Sequence, residues 1–122
     1  MKNLFLVLAL WCGSALANPA PVTSVVVNGK TILADQNQMT VYTFDPDQAN
    51  ISNCNGGCAV EWPPVLVDAN LAPPAPYGVV TRKDGSHQLS YKTQPLYLFD
   101  EDKKPGDILG DGDDNIWHIV VL

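Results

Sequence analysis

Short apolar runs separated by polar turns make up most of the chain. The run at 22–27, Val-Thr-Ser-Val-Val-Val, is almost entirely β-branched, and a second apolar run follows at 30–34. Asn28 and Gly29 lie between them, and this dipeptide is the strongest short signal for a tight hairpin turn. Residues 79–82 and 87–91 flank Lys83, Asp84 and Gly85 in the same way. The pattern therefore predicts two β-hairpins.

Three further segments have the composition of strands, at 40–44, 96–99 and 117–121. No stretch after residue 17 keeps a 3.6-residue apolar period over the length of a helix. Ten prolines, clustered at 63–64 and 73–76, also disfavour long helices. The predicted fold class is all-β.

An internal repeat organises these segments. The motif Tyr-x-Phe-Asp-x-Asp occurs at 42–47 and again at 97–102, and Trp62 falls on Trp117 at the same offset. The repeats span about 22–72 and 77–122, and neither is long enough to bury a core readily by itself. We therefore expect one domain, a small sandwich or barrel built from two pseudo-symmetric halves.

The N-terminus has the features of an export signal. Lys2 precedes an apolar run at 4–11, and Ala15 and Ala17 place small residues where a signal peptidase cuts. We expect cleavage after Ala17, which leaves 18–122 as the mature domain. Trp11 directly before Cys12 argues against lipid attachment at that cysteine. The apolar run is shorter than a membrane-spanning helix, which argues against a permanent anchor. No apolar run of membrane length follows the signal, so the mature chain is predicted to have no transmembrane segment.

Charge and cysteine content narrow the possible functions. The chain carries 7 basic and 13 acidic residues, and loss of Lys2 with the signal changes the net charge from -6 to -7. An acidic protein of this kind is not expected to bind nucleic acid. Cys54 and Cys58 are the cysteines left after cleavage, and in an oxidising compartment they are expected to form a disulfide that fixes one loop.

The repeated motif also resembles a known family. Tandem copies of Tyr-x-aromatic-x-x-Asp are the hallmark of a bacterial secreted-repeat family of unknown function, often found in lipoproteins. The residues that carry the resemblance are Tyr42, Phe44 and Asp47, then Tyr97, Phe99 and Asp102, with Trp62 and Trp117. The resemblance implies an exported protein, periplasmic or secreted, and implies no reaction. Paired rings on a strand are expected to belong to the core, and each following Asp is expected to fix a turn.

Two metal-binding hypotheses compete with a purely structural interpretation. Asp111, Asp113 and Asn115 reproduce the first three oxygen positions of a calcium loop, although Ile116 and Leu122 break the later ones. If Cys54 and Cys58 were reduced, the two thiolates with His118 or His87 would suit copper or a redox role. A solvated turn and a disulfide are the favoured interpretations of these segments.

No catalytic set stands out in the sequence. The serines lie outside any Gly-x-Ser-x-Gly motif, and Glu61 and Glu101 form no repeat-equivalent acid/base pair. We therefore expect a non-enzymatic module without a cofactor, with a binding or structural role toward an unknown envelope or extracellular ligand. The alternatives are a periplasmic copper or redox protein and a calcium-binding module.

Overall fold

A computed structural model describes residues 19–122, so the predicted signal peptide at 1–17 lies outside the described residues. In chain order the elements are β1 (Val22–Val27), β2 (Lys30–Asp35), β3 (Tyr42–Phe44), α1 (Gly57–Glu61), β4 (Tyr77–Thr81), β5 (His87–Tyr91), β6 (Gln94–Pro95) and β7 (Trp117–Ile119). A 3-10 turn at Asp113–Asn115 precedes β7. The all-β class is confirmed, with one five-residue helix as the exception. No helix in this part of the chain is both long and apolar enough to cross a membrane.

Both predicted hairpins form. β1 and β2 pair antiparallel from Val22 opposite Asp35 to Val27 opposite Lys30. Asn28 and Gly29 take φ values of 52° and 79°, as a two-residue type I′ turn requires. The second hairpin pairs β4 with β5, and β6 extends it to three strands.

The other predicted strands are shorter than their sequence patterns. β3 begins at Tyr42 rather than at residue 40, and β7 ends at Ile119. The segment 96–99 does not form a strand of its own. Within it, Tyr97 makes isolated antiparallel bridges to Tyr42 on one side and to Pro64 on the other. Tyr42 and Tyr97 exchange both backbone hydrogen bonds, at 2.8 and 3.0 Å.

The two halves exchange their Trp-led segments. The segment after Trp117 pairs with the first half, since β7 lies on β3 and the Leu33 N–H donates to the Val120 carbonyl. The segment after Trp62 pairs with the second half, where the Leu89 N–H donates to the Val65 carbonyl. Each half therefore completes the sheet of the other, and the halves form a single structure.

Two apolar clusters fill the interior. The aliphatic cluster draws equally on both halves and holds Leu33, Val41, Val65, Leu89, Leu96 and Val120. The aromatic cluster holds the motif rings and one sulfur, namely Tyr42, Cys54, Trp62, Tyr97, Phe99 and Trp117. Because side chains alternate along a strand, Val41 and Leu96 enter the first cluster while Tyr42 and Tyr97 enter the second.

Candidate functional site

Two tryptophans stack face to face where the halves meet. The ring centroids of Trp62 and Trp117 are 3.8 Å apart, with 3° between the ring planes. Tyr42 packs edge-on against Trp62 at 5.3 Å, and Tyr97 packs edge-on against Trp117 at 5.2 Å. Both tyrosines have no exposed surface. The four rings lie in the core, where they cannot stack on a ligand.

The motif phenylalanines repeat the symmetry of this stack. Phe44 stacks on Trp117 and Phe99 stacks on Trp62, each with 4.2 Å between ring centroids. Each phenylalanine therefore lies on the tryptophan of the opposite half. Stacked and edge-on ring pairs add to the free energy of burial, so the cluster stabilises the contact between the halves.

The last aspartate of each motif copy accepts a hydrogen bond from the tyrosine hydroxyl of the opposite half. The Tyr42 hydroxyl donates to Oδ2 of Asp102, and the Tyr97 hydroxyl donates to Oδ2 of Asp47, both at 2.7 Å. The second oxygen of each carboxylate accepts a backbone N–H from the loop that follows it. Asp47 Oδ1 accepts from Asn53 at 2.6 Å, and Asp102 Oδ1 accepts from Leu109 at 3.0 Å. Each carboxylate thus fixes its own loop and contacts the other half.

Burial keeps both phenols protonated. It raises the pKa of Tyr42 and of Tyr97 well above the ordinary value for tyrosine, and the hydrogen bond from each phenol to an aspartate adds to the increase. Burial also raises the pKa of Asp47, against the opposing effect of its hydrogen-bond donors and of the Arg82 charge. The tyrosines therefore act as neutral hydrogen-bond donors to the aspartates.

A disulfide loop follows the motif in the first half. Cys54 and Cys58 are bonded, with their Cα atoms 5.2 Å apart, which bears out the predicted disulfide. Gly56, at φ 59°, turns the chain into α1. The buried Cys54 belongs to the aromatic cluster. The disulfide ring shapes this loop and holds it against the stacked tryptophans.

A buried arginine anchors the same loop to the second hairpin. Arg82 is 6% exposed, and its guanidinium donates to the Cys54 carbonyl at 2.7 Å, to Ser52 Oγ at 2.9 Å and to Gln88 Oε1 at 2.8 Å. The Ser52 hydroxyl also shares a hydrogen bond with the Tyr97 hydroxyl at 2.6 Å. Arg82 Nε is buried without a partner among the described residues. A charge here costs desolvation energy, which these acceptors offset in part.

A comparison of the sequence with protein-family models identifies its family. The family model described as a secreted repeat of unknown function matches residues 23–66 and 78–121. The chain belongs to this family. The two matched spans are related by the same offset as Tyr42 and Tyr97, so the predicted resemblance is confirmed. No curated protein and no solved structure matches the chain.

The two secreted repeats differ most in the loop after the motif. Where the first repeat has Cys54 against the aromatic cluster, the second has Gly110, whose N–H donates to the Tyr42 hydroxyl at 3.2 Å. A Cβ atom at Gly110 would lie 2.5 Å from Cη2 of Trp62. The second repeat therefore requires glycine at this point, and its loop is shaped without a disulfide.

The side chains of two of the four candidate metal residues of the second repeat, Asp111 and His118, have partners in the protein. Asp111 Oδ1 accepts the Ile119 N–H at 3.1 Å, and His118 Nε2 lies 2.9 Å from Oδ2 of Asp45 on the surface. Asp113 and Asn115 belong to the 3-10 turn. Within 19–122 no three His, Cys, Asp or Glu side chains converge into a possible metal site. The calcium and copper hypotheses remain predictions.

The surface has two adjoining concavities, of about 210 and 350 Å³. Pro21, Gln36 and Leu66 line both of them. The motif residues line neither concavity. Binding at this surface would not use the residues of the repeated motif.

Sequence reasoning missed Arg82, Gln88, Ser52 and Gly110. A charged residue at the end of a hairpin strand has the pattern of a solvated position, so nothing marked Arg82 as buried. The repeat offset contained a signal, because it aligns Arg82 with Val27. An arginine at a position where the other repeat has valine indicates that the two positions have different surroundings. Gly110 had no such signal.

Proposed function

We propose that this protein is an exported, non-enzymatic β-module with a binding or structural role in the bacterial envelope, either in the periplasm or outside the cell. The family is described as secreted, which agrees with export. One observation carries the non-enzymatic part of the proposal. The tyrosine hydroxyl and the last aspartate of each motif copy are engaged in internal hydrogen bonds. The tyrosine–aspartate bonds join the two halves, and the bonds from backbone N–H groups fix the loop that follows each motif.

A structural role for the motif is supported by the burial of its polar groups. A catalytic carboxylate or phenol must reach a substrate within hydrogen-bond distance. Asp102 is 7% exposed, and both of its oxygens accept hydrogen bonds from this chain. Tyr42 and Tyr97 are fully buried. Family members that keep these residues therefore keep a scaffold, and ligand contact falls to the loops and surface.

Motif variants test this role. We expect Asp47→Asn to lower the melting temperature and to leave any ligand binding by the remaining folded protein unchanged. Asp45→Asn is the matched control, because Asp45 lies in the same motif but is exposed and pairs only with His118 on the surface. Turnover of any substrate that Asp47→Asn abolishes without a change in melting temperature would contradict the proposal.

Thiol counting and metal titration separate the alternatives. Protein purified without reductant should contain no free thiol at Cys54 or Cys58. Melting curves should be the same with calcium, with copper and with chelator, since a ligand bound only by the folded state raises its stability. Two free thiols together with bound copper would replace the proposal by the copper or redox function. A rise in melting temperature with calcium alone would replace it by the calcium module.

A further inference from the structure

β1 is an edge strand with outward-facing backbone groups. It pairs with β2 and with no other strand among the described residues. Leu33, opposite Ser24, donates its N–H to Val120, and its carbonyl accepts the Val41 N–H, so it makes no backbone hydrogen bond to β1. In an antiparallel pair, hydrogen-bonded and non-hydrogen-bonded positions alternate. Ser24 and Val26 therefore direct their N–H and C=O groups away from the sheet.

The side chains of β1 do not protect this edge. Exposed edges in natural proteins are usually blocked by charged residues, by proline or by a bulge. No residue between Pro21 and Lys30 carries a charge, and Val26 is 68% exposed. The equivalent strand of the other half, β4, has Gly78 near its start and Thr81 at the position of Val26. β1 is thus the more apolar of the two hairpin edges.

We propose that β1 is a self-association edge, at which two copies of this chain pair β1 to β1 in antiparallel orientation. The Val22 N–H is already taken by the Ala20 carbonyl at 2.9 Å, which leaves Ser24 and Val26 as the pairing residues. When Ser24 of one copy lies opposite Val26 of the other, the outward backbone N–H and C=O groups of both residues all form hydrogen bonds between the copies. The two-fold axis then passes beside Val25.

A second copy fits this edge because the edge is complementary to itself. The register pairs every outward N–H and C=O of Ser24 and Val26, and it places Val25 of each copy opposite Val25 of the other. It brings no charged side chain of either strand against another, and β-branched cross-strand pairs are favourable. The rest of the molecule opposes association, because each exported copy is strongly acidic. Salt screens that repulsion without weakening backbone pairing, so the dimer should strengthen as ionic strength rises.

A concentration series by sedimentation equilibrium on the exported protein tests the proposal at low and at high salt. We expect a monomer–dimer equilibrium that shifts toward dimer with salt. Val26→Lys should raise the dimer Kd by roughly tenfold, about 1.4 kcal/mol. Thr81→Lys is the matched control, since it adds the same charge at the equivalent exposed position of β4, and it should leave the Kd unchanged.

Cross-linking tests the register. Val25→Cys should form a disulfide-linked dimer under mild oxidation, because the two Val25 positions face each other, whereas Ser24→Cys should cross-link far more slowly. A parent protein that stays monomeric at all concentrations and salt levels would overturn the proposal. Equal weakening by Thr81→Lys and Val26→Lys would also overturn it, as would assembly beyond a dimer, which indicates β1 pairing with β4. The dimer does not depend on the function proposed above.

Discussion

Replacing Tyr42 with Phe removes one oxygen atom from the aromatic cluster, and we expect this change to cost more stability than the equivalent change at Tyr97. The Tyr42 hydroxyl satisfies two buried groups, Oδ2 of Asp102 and the N–H of Gly110. Without it, both groups lose a partner in a place that water does not reach. Leaving a buried polar group unpaired costs about 1 to 3 kcal/mol, so for two groups we expect a loss of roughly 2 to 6 kcal/mol.

The hydroxyl of Tyr97 has partners that can find replacements. Asp47 is only partly buried, so water can hydrate its oxygen when the phenol is absent. Ser52 keeps the hydrogen bond that it accepts from Arg82, and its own hydroxyl lies 3.5 Å from the Cys54 carbonyl, to which it can donate when the phenol is absent. The expected cost of Tyr97→Phe is therefore about 1 kcal/mol, the net value of an ordinary hydrogen bond.

Urea unfolding of the two variants beside the parent protein measures this difference. In a domain of this size about 1 kcal/mol changes the melting temperature by about 4 to 8 °C, so thermal melts should rank the variants in the same order. Tyr42→Phe combined with Asp102→Asn should lose less stability than the sum of the single changes, because the two residues share one hydrogen bond. Equal losses for Tyr42→Phe and Tyr97→Phe, or a larger loss at Tyr97, would refute the reasoning from burial.

Four other outcomes follow from the structure. Tyr42→Ala and Tyr97→Ala should each destabilise the protein by about 3 to 5 kcal/mol, and a variant that melts like the parent would show that its ring is not core. Gly110→Ala should cost about 1 to 3 kcal/mol by overpacking, while Gly57→Ala, which meets no atom within 4 Å, should be neutral by the same urea assay. Arg82→Lys should lose about 1 to 3 kcal/mol in chemical denaturation, since a single ammonium cannot serve the separated acceptors. Burial raises the pKa of both tyrosines in the folded state, so the free energy of unfolding should keep its full value below the ordinary tyrosine pKa of about 10 and should fall as the pH rises above it. Tyrosinate absorbance should show these phenols ionising only together with unfolding.

Local patterns predicted the fold class and the hairpins because the forces involved act over a few residues. The dipeptide at 28–29 determines its turn through backbone sterics, and β-branched runs on both sides favour strands wherever they pack. The offset between the two motif copies correctly predicted two halves. The prediction of a strand at 96–99 was wrong, because Tyr42 and Pro64 each pair with this segment at a single position, Tyr97, and no continuous ladder forms.

The exchange between the halves could not be read from the chain. Periodicity shows which face of a segment is apolar, and it does not show which other segment covers that face. Both Trp-led segments have equally good partners in either half on sequence grounds. The five-residue helix at Gly57–Glu61 is too short to show a 3.6-residue period, and one of its residues, Cys58, is bonded to Cys54. Arg82 is buried only because the loop at 52–55 folds over it.

The crossing of the Trp-led segments means that repeat boundaries in this protein are not boundaries between folding units. Each hairpin finds its neighbouring segment in a distant part of the chain, at Val120 for Leu33 and at Val65 for Leu89. Such distant pairing slows folding, because the chain loses the entropy of closing a long loop before the stabilising contacts form. It also means that a protease cut in the proline-rich linker at 73–76 would release neither half, since each fragment would still hold strands of the other. A chain with a single repeat could satisfy the same pairings only by combining with a second molecule.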